Sequence, residues 1–241
     1  MVKELADLKK IAVPSRSSYF GIVDLAGFKK DRFWLYQARW RPELPMAHLL
    51  PHWNWPERAG QVTPVHLYTS GDEAELFLNG KSLGRKKRGP RDYRLRWDDV
   101  LYQPGTLRAV AYKDGKPWAE DTVRTTGAAA KLQLSADRST LRADGDDLSF
   151  VTVAIADKDG RPVPRTSNRV TFRLAGPGEI VATDNGDPTS FESFQSPQRN
   201  AFNGLALAIV RTRAGQPGKL VLTATAEGLE SAKVTLESKA P

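Results

Sequence analysis

"EAELFLNGKSLGRKKRGP", residues 73–90, admits two readings that lead to different folds. Its Gly80-Lys81-Ser82 matches the tail of a phosphate-binding loop, G-x-x-x-x-G-K-[ST], which joins a strand to a helix. The first glycine of that motif would fall at position 75, and that residue is Glu75. The residues that follow, Leu83-Gly84-Arg85-Lys86, carry no helical periodicity. The other reading is a β-hairpin. Asn79-Gly80 is a strong two-residue turn signal, because both residues tolerate the positive φ that such a turn requires. Leu76 and Leu78 then lie on one strand face, and the basic run beyond is the solvated return. The hairpin fits and the phosphate loop does not.

The same texture extends on both sides. "TPVHLYTS", "YRLRW", "GTLRAVAYKDG" and "KPWAEDTVRT" are short alternating segments, with Asp114-Gly115 as a second hairpin turn. Residues 57–127 therefore read as a small antiparallel sandwich. Residues 128–241 alternate again through "KLQLSAD", "DLSFVTVAIAD", "RVTFRLAG", "GEIVATDNG", "FNGLALAIVRT", "GKLVLTATAEG" and "AKVTLES". Asp159-Gly160 marks another turn, and Leu148, Phe150, Val151, Val153 and Ile155 contain one buried strand face. The expected fold class is mainly β, two tandem immunoglobulin-like antiparallel sandwiches behind a short helical N-terminal segment.

That leading segment, residues 1–56, has a different character. Val2, Leu5, Leu8 and Ile11 recur at three-residue spacing, as in a short amphipathic helix, and lack the apolar core of a signal peptide. "KKDRFWLYQARW" reads as a helix with Phe33, Tyr36, Gln37 and Trp40 on one face. Prolines 42, 45, 51 and 56 then forbid a long helix. One helix with such flanks is the end of something larger rather than a domain.

Across all 241 residues, 40% are hydrophobic and 27% charged, enough for a soluble core. The absence of cysteine excludes disulfides and thiolate metal sites. A net charge of +8 permits anionic partners without requiring them. The basic residues from Arg85 to Arg96 alternate with Tyr93, Leu95 and Trp97, as an outer strand face would alternate with an inner one. His48 and His52 stand four apart, but Pro45 and Pro51 spoil the helix that this metal-ligand spacing needs. The acidic loops at 143–148, 157–160 and 184–188 lack the spacing of a calcium loop and read as turns. No G-x-S-x-G occurs, and Glu120 and Asp121 point to opposite strand faces. Tryptophans 34, 40, 53 and 55 crowd the leading segment, either as platforms for sugar faces or as a helix-to-sandwich core.

At this point long blocks carry a resemblance. "SSYFGIVDLAGFKKDRFWLYQARW" and "HLLPHWNWPERAGQVTPVHLYTSGDEAELFLNGKSLGRK" resemble the C-terminal portion of bacterial β-galactosidases of glycoside hydrolase family 2. The first block resembles the last loop and helix of the catalytic barrel, and "ELFLNGKSLG" the sandwich that follows it. "DLSFVTVAIADKDGRPVP" and the stretch around "DNGDPTSFESFQSPQRNAFNG" resemble the family's C-terminal immunoglobulin-like domain. The likeness runs from about residue 15 to 236 and leaves out residues 1–13. It implies catalytic glutamates in a barrel upstream, the acid/base one preceded by asparagine. This chain has no Asn-Glu dipeptide.

The resemblance therefore implies non-catalytic accessory domains that brace a catalytic barrel and shape carbohydrate access. It also implies inactivity of the chain alone, and a parent family that is often periplasmic or extracellular. The alternatives are a carbohydrate-binding module, contacting sugar through Trp53, Trp55 and Tyr19 or through residues 184–203, and a structural or adhesive cell-surface module. No catalytic residue, metal or cofactor is expected, and neither nucleic acid nor membrane as partner. The upstream barrel is the expected partner, with galactosides and self-association left open. The exposed helix is expected to dock on the first sandwich.

Overall fold

The computed structural model describes residues 16, 17 and 19–240. The amphipathic pattern at residues 2–11 lies outside them. The chain forms two compact units. One is Lys29–Thr126. The other joins Gly127–Pro241 with the described residues of Met1–Phe28.

The first unit opens with helix α1 (Asp31–Trp40), then strand β1 (Ala47–Leu50) and a 3₁₀ turn (Pro56–Arg58). Six strands follow: β2 (Val65–Thr69), β3 (Glu73–Leu78), β4 (Lys81–Lys87), β5 (Leu95–Trp97), β6 (Thr106–Lys113) and β7 (Lys116–Arg124). They make two sheets in the orders β1-β2-β5 and β4-β3-β6-β7. The quoted stretch is the β3–β4 hairpin. Asn79 and Gly80 adopt φ of 52° and 83°, the left-handed pair that a two-residue hairpin turn demands. Ala74, Leu76 and Leu78 face inward while Glu73, Glu75 and Phe77 face outward. Leu76 and its neighbours Leu67, Leu107 and Trp97 are sealed in one core. β4 is an edge strand, and its run of lysines and arginines discourages pairing with another chain.

The second unit comprises β8 (Lys131–Ala136), β9 (Thr140–Arg142), β10 (Leu148–Ala156), β11 (Arg169–Ala175), β12 (Gly178–Asp184), β13 (Gln198–Asn200), β14 (Leu205–Thr212), β15 (Gly218–Ala226) and β16 (Ala232–Lys239). Its sheets run β12-β14-β10-β8 and β13-β11-β15-β16-β9. All pairings are antiparallel except β16 with β9. Val151, Val153, Ile155, Phe172, Leu220, Leu222 and Leu236 fill the space between the sheets. Two sandwiches on separate cores are the expected fold class.

Local differences have local causes. Along β10 the inward residues are Ser149, Val151, Val153 and Ile155, so Phe150 points outward. Tyr93 precedes β5 and stays exposed, while Leu95 and Trp97 face inward. In α1 only Ala38 is fully buried. Trp34 stacks on His48 of β1, with ring centres 5.2 Å apart, so the helix docks on the first sandwich. Trp40 stacks on Tyr36 at 4.8 Å and remains 70% exposed.

Candidate functional site

The second unit carries a long loop, residues 185–197, between β12 and β13. A single buried side chain shapes it. Arg199, fully enclosed, donates through Nη2 to the carbonyls of Thr183 and Ser193, each at 2.7 Å. Through Nη1 it donates to the Glu192 carbonyl at 3.2 Å. Burial pushes the Arg199 guanidinium down from its usual value, and the Glu192 and Asp184 carboxylates pull it back up. Glu192 is shared: Arg169 holds one carboxylate oxygen at 2.5 Å, and Arg199 lies 3.7 Å from the other.

Arg16 and Asp24, from the described residues up to Phe28, lie against this loop. Arg16 donates its backbone N–H to Pro188 O at 2.6 Å. Its guanidinium stands 4.5 Å from the Phe194 ring centre and 5.5 Å from that of Phe191. Gly186, at φ +74°, is needed here: a Cβ on it would stand 2.1 Å from Asp24 Oδ2. Two segments far apart in sequence are thereby brought together. Tyr19 is half-exposed beside Phe20, which is more exposed still.

Trp53 and Trp55 belong to the first unit. Trp53 is 1% exposed, donates its indole N–H to Gln103 O at 2.9 Å, and packs on Tyr102 at 4.9 Å. It is a core residue with no ring face turned to solvent. Trp55 is half-buried, stacks on His52 at 4.4 Å, and donates to the His52 carbonyl at 2.7 Å. The Tyr102 hydroxyl accepts the Trp55 backbone N–H at 3.1 Å, so the two tryptophans clamp the irregular 51–56 stretch to the sandwich. His48 sits between rings and meets Asp31 at 2.9 Å, and His52 lies on Trp55. Among the described residues no group of three or more histidines, aspartates and glutamates is placed to hold a metal ion.

The basic run is largely used internally. Arg85 pairs with Glu73 at 2.6 Å and lies over the Tyr112 ring, Lys86 donates to Arg96 O, and Arg88 donates to Thr69 O. Arg96 pairs with Asp98 at 2.8 Å. These cations rim the β3–β4 hairpin and its neighbours.

Fold and site together define a class: a tandem β-sandwich module, shaped by arginine staples and aromatic clamps. Residues 132–235 match the family described as Glycoside hydrolase family 2 C-terminal domain 5. Residues 60–119 match DUF4982, a domain of unknown function. The chain is 44% identical over 227 residues to Beta-galactosidase BoGH2A of Bacteroides ovatus, which covers 94% of this chain and 26% of that protein. It is 28% identical over 221 residues to a Beta-glucuronidase of Formosa agariphila, covering 90% of this chain and 22% of that protein. A crystal structure of a beta-glycosidase from Bacteroides vulgatus superposes with a TM-score of 0.89 at 35% identity, over 93% of this chain and 29% of that one. Over most of its length the chain thus matches the C-terminal region of glycoside hydrolase family 2 proteins, and it spans about a quarter of the length of these relatives.

Proposed function

We propose that residues 57–127 and 128–241 serve as non-catalytic accessory domains bracing an upstream catalytic barrel, with the leading segment as the end of that barrel up to β1, which with Trp53 is built into the first sandwich. One observation carries this reading. Among the described residues thirteen large hydrophobic side chains are exposed, and seven lie between positions 19 and 44: Tyr19, Phe20, Val23, Leu25, Tyr36, Trp40 and Leu44. Tyr19, Phe20, Val23 and Leu25 belong to one unit and Tyr36, Trp40 and Leu44 to the other, so each unit carries apolar side chains open to a partner. About three quarters of the length of the Bacteroides ovatus relative lies outside the match, which supplies a partner of the right origin. The interior of each sandwich is closed by its own strands, and about half of the exposed large hydrophobics precede them.

Galactosides and a second copy of the chain are further proposed partners. Tyr19, half-exposed three residues beyond Arg16, is the residue proposed to meet carbohydrate, with the exposed part of Trp55 as a second contact. The substrate could carry a galactosyl or a glucuronosyl unit, because the relatives bear both names. The isolated chain is expected to hydrolyse neither nitrophenyl β-galactoside nor nitrophenyl β-glucuronide. Turnover that disappears on substitution of a carboxylate within this chain would contradict the non-catalytic role.

A further inference from the structure

Beside the hairpin tip that decided the fold lies a hollow of about 400 Å³, within the range of small-ligand pockets. Leu78, Leu83, Val100 and Leu101 give it an aliphatic floor, with Trp97 as part of the wall. Lys81, Asp99 and Gln103 stand exposed around it.

The hollow is held open by bonds that leave this rim uncommitted. Asn79 uses both ends of its side-chain amide on structure. Its Oδ1 accepts from Thr106 N at 2.8 Å and its Nδ2 donates to Pro104 O at 3.1 Å. That pair of bonds ties the hairpin tip to the turn after Gln103. Trp97 donates its indole N–H to Gly84 O at 3.2 Å, fixing the wall to β4. The side chains of Lys81, Asp99 and Gln103 make no hydrogen bond or ion pair among the described residues.

We infer that this hollow binds a single neutral sugar residue, independently of the bracing role. A sugar hydroxyl both donates and accepts, so one ring can satisfy an ammonium, a carboxylate and an amide together. Its C–H face matches aliphatic floor residues, while the absence of an exposed aromatic plane at this site disfavours a nucleobase. The rim charges of Lys81 and Asp99 cancel, which favours a neutral sugar over a uronate.

The Trp97 indole N–H resonance reports on the hollow directly. The full chain is titrated with methyl β-galactoside, methyl β-glucoside and methyl β-glucuronide while amide and indole resonances are followed. The expected result is a saturable shift of Trp97 and of residues 78–83 and 99–103 with a neutral glycoside, at a dissociation constant on the order of millimolar. Asp99→Ala and Gln103→Ala are each expected to weaken it roughly tenfold. Unchanged resonances elsewhere verify their folds. No shift up to the solubility of the neutral glycosides, stronger binding of the glucuronide, shifts confined to residues 19–44 or 184–197, or rim variants that bind as before would each overturn the inference. Because the chain is titrated alone, failure of the bracing role leaves this result unaffected.

Discussion

Arg199 is the side chain on which the 185–197 loop depends, and nothing near it in sequence marks it out. It sits in the polar stretch "QSPQRNAFNG", where a surface arginine would look the same. Only the closed structure places its guanidinium among the carbonyls of Thr183, Glu192 and Ser193. Arg199→Met keeps much of the volume but leaves those acceptors unpaired, at an expected cost of about 2–4 kcal/mol in urea unfolding. An unchanged midpoint would mean the loop is held by other contacts. Asp157 plays a comparable part at the start of the second unit. Its Oδ1 accepts the N–H groups of Asp159 and Arg161 and its Oδ2 that of Gly127, at 2.9–3.0 Å. Burial pushes the Asp157 carboxyl up, but the amides of Arg161, Gly127 and Asp159 more than offset this and hold it below its ordinary value. A folded pKa below the unfolded one stabilises above the unfolded value, about 3.9, and that stability is lost as pH falls through the folded value. Asp157→Asn is therefore expected to cost about 1.5–3 kcal/mol at neutral pH, and less once acid has protonated the wild-type carboxyl. Denaturant titrations at neutral and acidic pH compare the two, and a gap that does not narrow in acid would exclude the charge as its source.

Among the elements, the β3–β4 hairpin shows what alternation makes legible. The pattern Ala74-Leu76-Leu78 and the Asn79-Gly80 turn identify strand, face and register before any long-range contact is known. Asn79→Ala removes the residue suited to φ 52° and breaks both bonds to residues 104–106, so about 1–3 kcal/mol should be lost in thermal or urea unfolding. A loss near zero would show that the turn is set by the strands alone. The strands β9 and β13, three residues each, have no readable period, and their existence rests on β16 and β11 beside them. The tryptophans were ambiguous for a different reason. A large amphipathic ring serves equally as core or as platform. Trp53 became core because the Gln103 carbonyl and the Tyr102 ring meet it, whereas Trp40 stacks on Tyr36 and still stays mostly outside. The 184–203 loop could be noted in sequence, but the contact of Arg16 with Pro188, Phe191 and Phe194 depends on the tertiary fold.

At the scale of the molecule, closed sandwich cores contrast with an uncovered leading segment. The first core seals Leu67, Leu76, Leu107 and Trp97, and the second seals Ile155, Leu220, Leu222 and Leu236. Residues 19–44 leave aromatic and aliphatic surface in water instead. Hydrophobic burial favours covering such surface, and in a glycoside hydrolase family 2 enzyme the upstream catalytic region is the proposed cover. The direct test is hydrogen exchange on the isolated chain, compared with the same chain fused behind the catalytic region of its Bacteroides ovatus relative in an active enzyme. Bracing predicts that amides within residues 19–44 exchange markedly more slowly in the fusion, while those of the β4 edge strand do not change. Equal exchange of residues 19–44 in both proteins would contradict it.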